Sequence, residues 1–152
     1  MLFFLLACGD DTKDTGVSEE DAALWEEISD YSDWQQLENW TGVNASDSVH
    51  GVAMQTWYND TAYEGLMQGE EAMPNGSIIV KEGYADAEGS DVNAITVMKK
   101  IDGYNSEAGD WYWASFNVDG SVNTSGAVDM CISCHNSSQR DYLLLEPSSD
   151  SE

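Results

Sequence analysis

The chain has 152 residues, with 29 acidic against 5 basic side chains and a formal net charge of −24. A surface this acidic repels phosphate, which excludes nucleic acid as a partner and direct electrostatic attraction to an anionic membrane. A basic protein partner is favoured instead, steered in at low salt, although acidity also serves solubility alone.

The N-terminus runs Met1-Leu2-Phe3-Phe4-Leu5-Leu6-Ala7-Cys8 and turns acidic at Asp10-Asp11. It resembles the end of a bacterial lipoprotein signal, whose Leu-x-[Ala/Gly]-Cys box is cut before a cysteine that then receives lipid. Residues 1–7 read as the signal remnant, Cys8 as the lipidation site and 8–18 as an acidic tether. The basic segment expected ahead of such a signal is absent. The competing reading is an N-terminal core strand or a short apolar helix. Eight apolar residues are too few to span a bilayer, so lipid on Cys8 would be the only link to a membrane. This places the protein in a bacterial cell envelope, lipid-anchored, on the periplasmic or outer face.

Ser18 followed by Glu19, Glu20 and Asp21 is a helix start, a capping residue ahead of acids that suit the positive end of the helix dipole. Leu24, Trp25, Ile28, Tyr31 and Trp34 then recur at helical spacing, predicting a helix over 19–36 that Leu37 and Trp40 could extend. Its aromatic stripe reads as core packing. Val52 to Tyr58 reads as a strand. Asp60 to Gln68 reads as a short helix capped by Asp60, with Tyr63, Leu66 and Met67 on its apolar face. Pro74-Asn75-Gly76 marks a turn. Further strands are predicted over Ser77–Tyr84, Val92–Ile101 and Trp111–Val118, separated by glycine-containing turns. A short helix is expected over 129–138. The fold class is therefore α+β, a mainly antiparallel sheet of about four to five strands flanked by helices. One domain spans 19–145, and the acidic tail 146–152 is expected to be disordered.

Cys131-Ile132-Ser133-Cys134-His135 has the spacing by which a c-type haem is attached. Positions i and i+3 share a helix face, so both thiols can form thioethers to one porphyrin, and His135 follows as the axial ligand to iron. Two alternatives compete. A zinc site would need His50 as a fourth ligand, yet His50 is a lone residue some eighty positions away, where such sites use two tight pairs. A redox dithiol usually follows an early strand, and this motif sits at the chain end. Haem c, one group held covalently, is the leading reading. Small electron-transfer cytochromes carry the motif early with a downstream Met ligand; here no Met follows His135. The β-rich middle also argues against a four-helix cytochrome.

The order of these signals resembles the cytochrome P460 family, which includes the β-sheet cytochromes c′. The matching residues are His50-Gly51, Trp57-Tyr58-Asn59-Asp60, Gly76 to Glu82 with its Val80-Lys81-Glu82 core, Val97-Met98-Lys99-Lys100, Gly109 to Ala114, Cys131 to His135 and Asp141-Tyr142. They cover about residues 48–145; the first helix matches loosely. The resemblance implies that Lys81 bonds covalently to a porphyrin meso carbon. It also implies a distal haem face open to a small nitrogen-containing ligand, hydroxylamine or nitric oxide, an external redox partner, and a homodimer. By strand alternation Lys81 shares a face with Ser77 and Ile79, opposite Ile78, Val80 and Glu82. One departure stands out. The carboxylate used by family members that oxidise hydroxylamine falls near Ile95 and Thr96, and no acid occupies the strand from Ala94 to Met98. No catalytic residue is therefore assigned.

Smaller expectations follow. His50 is read as structural or as supporting the site rather than as an axial ligand. Met98 is the best of Met54, Met67, Met98 and Met130 for lining the pocket. Arg140 is a candidate partner for a haem propionate. Trp111 and Trp113 share a strand face and are expected to pack against the haem or the first helix.

Overall fold

The computed structural model describes residues 18–147. The lipoprotein signal, Cys8 and the end of the acidic tail lie outside the described residues. Six antiparallel strands form one sheet in meander order: β1 (Asn44–Ser48), β2 (Gly51–Tyr58), β3 (Ile78–Tyr84), β4 (Val92–Lys100), β5 (Trp111–Phe116) and β6 (Val122–Gly126). Three helices accompany it: α1 (Glu19–Glu27), α2 (Asp60–Met67) and α3 (Asp129–His135). No described helix is long and apolar enough to cross a membrane.

The α+β class and the four central strands agree with the sequence reading; the strand count does not. The two additional strands, β1 and β6, are the edges. Their sequences, Asn-Ala-Ser-Asp-Ser and Val-Asn-Thr-Ser-Gly, are short and mostly polar, the first with no β-former and the second with only Val122 and Thr124. An edge strand is held by backbone pairing to its one neighbour and shows water a polar side, so hydrophobic alternation does not reveal it.

The predicted helix over 19–36 is shorter. It ends at Ile28, and 3₁₀ turns follow at Tyr31–Asp33 and Glu38–Trp40. Ser29, Asp30, Ser32 and Asp33 favour turns over helix interior. Topology gives a second reason. Leu24 and Ile28 pack with Ile78, Val80, Val97 and Phe116 on one face of the sheet, whereas Leu37 packs with Tyr58, Ile79, Met98 and Trp113 on the other. A straight helix cannot serve both faces; the chain passes the end of β2, beyond its pairing with β1, at the Gln35–Tyr58 bridge. In α2 the cap is Asn59, not Asp60: its side chain accepts from Ala62 N at 2.9 Å. Ala62, Gly65 and Leu66 are the buried residues of that helix, while Met67 is exposed.

Asp21 ties α1 to the sheet. It is buried and accepts from Tyr112 Oη at 2.6 Å, Ser18 Oγ at 2.7 Å and Ser125 Oγ at 2.9 Å. Burial pushes the carboxyl up, but these donors outweigh it and hold its pKa below the ordinary value. Asp21→Ala should cost about 3 kcal/mol in urea denaturation, because the buried Tyr112 hydroxyl and the half-buried Ser125 hydroxyl lose a charged acceptor. Since the folded pKa is depressed, Asp21 stabilises the fold fully above the ordinary carboxylate pKa of about 3.9, and the gain disappears as pH falls through the lower folded value. The difference between wild type and variant should therefore shrink in acid; a gap below about 1 kcal/mol at neutral pH would show that the network contributes little.

Candidate functional site

Register builds the site. Thr56, Lys81, Thr96 and Ser115 stand side by side across β2 to β5, and Tyr58, Ile79, Met98 and Trp113 form the next row. Both rows face the same side of the sheet, away from α1. They form the floor of a cavity of about 870 Å³ including its open mouth, roofed by α3 and by residues 143–145. The lining is mostly apolar, as a cofactor pocket requires. Alternation put Lys81 on one face with Ile79, and that is its place: it looks into the cavity, while Glu82 on the opposite face accepts from the hydroxyls of Tyr31 and Tyr84.

Cys131, Cys134, His135 and Lys81 all line this one cavity. Both cysteines are free, Cys131 half-buried and Cys134 exposed at the mouth. His135 is buried, with its ring centre 4.8 Å from that of Trp113. Its Nδ1 lies 2.8 Å from the carbonyl of Tyr142. A carbonyl only accepts, so Nδ1 carries the proton and Nε2 keeps its lone pair free for a metal. Burial lowers the pKa of His135; the Tyr142 carbonyl opposes that shift and Lys81 adds to it.

The turn that presents this carbonyl is strained and anchored. Asp141 and Tyr142 have φ of +38° and +66°, rare for residues other than glycine. Asp141 is held from three sides, by Lys100 Nζ at 2.7 and 2.9 Å, Met73 N at 2.6 Å and Trp111 Nε1 at 3.0 Å to its carbonyl. The sequence reading missed this support because Lys100 and Asp141 are 41 positions apart.

Lys81 is partly buried, and desolvation pushes its pKa down to about 8, with Cys134 acting in the opposite direction. His50 also lines the cavity. Burial, then Lys81 and His135, lower its pKa to about 4, so it is neutral at pH 7. Thr96 points into the cavity, whereas Ile95 packs on the far face against Phe116 and Val80. No Asp or Glu is among the cavity residues. Met98 lines the wall and Met130 the rim.

Arg140 is corrected. Its guanidinium donates to the carbonyls of Gly65 at 3.1 Å and Glu70 at 2.6 Å and pairs with Glu146 at 3.0 Å. It caps the end of α2 rather than facing the cavity. Trp111 and Trp113 share the cavity side of the sheet, away from α1. No cluster of three or more His, Cys, Asp or Glu suited to a metal ion occurs among the described residues.

The residues fit a haem. Two thiols stand at one end of an apolar cavity, with an imidazole whose Nε2 is free. Trp113 Nε1 and Thr56 Oγ1 are buried in the same wall without a partner among the described residues, which suits a bound group that brings acceptors of its own.

No curated protein matches the chain. A protein-family model, Cytochrome P460, matches residues 28–144, most of the chain and every cavity residue except Leu145. The chain therefore belongs to the cytochrome P460 family, and it is a c-type haem cytochrome of the P460 type.

Proposed function

We propose that this protein is an envelope-facing mono-haem cytochrome, tethered through lipid on Cys8, whose distal haem side binds hydroxylamine or nitric oxide. The reading rests above all on one cavity that gathers Cys131, Cys134, His135 and Lys81 within a mostly apolar wall. When bound, a haem would supply an iron able to pass electrons singly and to take a small ligand.

The chain's own residues set the rest. Cys131 and Cys134 hold the group to α3. His135, oriented by the Tyr142 carbonyl, would bind the iron through Nε2. Met98, Ile79 and Trp113 are apolar walls of the cavity and would keep bulk water out of it. Lys81, with its pKa near 8, is part neutral around neutral pH and has a nucleophilic amine at the cavity wall. That supports a third covalent point, a nitrogen–carbon bond that would replace one amine N–H and one meso C–H, the two protons and two electrons passing to an external two-electron oxidant. Wild type should then show an absorption spectrum displaced from ordinary c-type haem, and Lys81→Ala should return it to the ordinary one. Identical spectra would rule the bond out.

The cavity holds no carboxylate to accept the protons of hydroxylamine. That favours a second reading, a binder that takes up nitric oxide without turnover. The two separate on hydroxylamine given with an artificial one-electron acceptor. Sustained acceptor reduction marks the enzyme, and nitric oxide uptake without reduction marks the binder. A haem-loaded protein that takes up neither ligand is a plain electron carrier.

The redox partner proposed is a basic protein. Lys99 pairs with Glu27 at 2.5 Å, Lys100 with Asp141 and Arg140 with Glu146, while Lys81 lines the cavity. No described cation is left to offset the acids outside. Val49, Met130 and Leu144, exposed at the cavity mouth, supply an apolar contact. Association should weaken steeply as salt rises; a rate indifferent to salt would defeat this assignment. The homodimer implied by the family belongs to the same proposal.

A further inference from the structure

We infer that His50 is a second, displaceable axial ligand, occupying the sixth position of the iron until a small ligand takes its place. The inference rests on the haem reading above and names a regulation of that same site.

The fold commits backbone to placing this side chain. His50 sits in the two-residue turn between β1 and β2. The turn lies flat on β3: a Cβ at Gly83 would come within 1.7 Å of the His50 carbonyl oxygen, and one at Gly51, with φ +145°, within 2.3 Å of the Tyr84 carbonyl oxygen. Only glycine at both positions lets the backbones approach this closely. The result is an imidazole over the cavity mouth, from a turn that would otherwise project into solvent.

The spacing suits a shared metal. The ring centres of His50 and His135 are 6.4 Å apart, with planes at 86°. Two imidazoles that bind one ion through metal–nitrogen bonds of about 2.0 Å put their ring centres roughly 6.3 Å apart. Hydrogen bonding leaves the same atom free on each ring. His135 donates Nδ1–H to Tyr142 O. His50 Nδ1 lies 3.4 Å from Thr96 Oγ1, whose proton goes to the Lys81 carbonyl at 3.3 Å. The hydroxyl therefore accepts from His50 Nδ1–H, and His50 Nε2 keeps its lone pair.

The two ligands are unequal. His135 follows two cysteines and is fixed by a 2.8 Å bond on an anchored turn. His50 has a 3.4 Å bond, sits next to the exposed Val49 and lies at the polar edge of the sheet. His50 is the ligand that leaves. A sixth position closed for roughly nine-tenths of the time slows uptake of an external ligand roughly tenfold.

Ferric electron paramagnetic resonance and absorption spectra of the haem-loaded protein, with intact mass taken in parallel, test this. Wild type should be mainly low-spin, and His50→Ala high-spin at a mass that still includes haem. Imidazole added to His50→Gly should restore the low-spin spectrum. Nitric oxide should bind His50→Ala roughly tenfold faster than wild type. Thr96→Val, which keeps His50 but removes its acceptor, should give a mixed-spin protein, a change that a merely structural histidine would not produce. A high-spin wild type, or a low-spin spectrum that survives His50→Ala, overturns the assignment while the haem reading stands. A mass without haem overturns both.

Discussion

Replacing Cys131 and Cys134 together with alanine should yield a chain at its bare polypeptide mass, with no haem stain on a denaturing gel. Wild type made in the same haem-attaching host should carry one haem. The expectation follows from α3. The two cysteines stand three positions apart on one helix, one half-buried against the apolar cluster and the other at the cavity mouth, so both sulfurs reach the same side of one group. Burial raises the thiol pKa of Cys131, the opposite of the lowered pKa that marks a reactive thiolate. Either single substitution should leave one thioether and a lower covalent yield. The double variant should also unfold at lower temperature, because a group that binds only the folded state stabilises it and is now free to dissociate. Covalent haem in the double variant, or none in wild type, would remove the basis of the proposed function.

The second large effect is expected at Lys100→Met. Lys100 and Asp141 are almost fully buried and paired at 2.7 Å, with the Lys100 ammonium also 5.0 Å from the centre of the Trp111 ring. Removing one partner leaves an uncompensated buried charge, and such breaks cost about 3–5 kcal/mol. Here the loss should spread to the haem. Asp141 holds the left-handed turn whose next carbonyl fixes His135, so a loosened turn releases the imidazole. Urea denaturation should show the stability loss, and the ferric absorption bands should broaden at a temperature where the variant is still folded. A variant within about 1 kcal/mol of wild type, with unchanged bands, would show that the ion pair neither stabilises the turn nor positions His135.

Lys81 and His50 show how far sequence reasoning reached. Alternation along β3 put Lys81 opposite Glu82, and strand geometry enforces this because successive side chains leave opposite faces. His50 lies in a turn with no periodicity, and its approach to His135 depends on two glycines packed against another strand. Arg140 shows the converse error. Five residues from His135 in sequence, it spends its donors on the end of α2, whose carbonyls need partners.

The sequence by itself determined the attachment motif, the four central strands and, along β3, that Lys81 stands on the face opposite Glu82. Each of these is set by spacing within a few residues, which chain geometry converts directly into direction. Only the tertiary structure decided the two polar edge strands, the early end of α1, the buried Lys100–Asp141 anchor and the pairing of His50 with His135. Those depend on backbone hydrogen bonds that carry no side-chain signature, or on groups that meet only once the sheet has brought distant segments together.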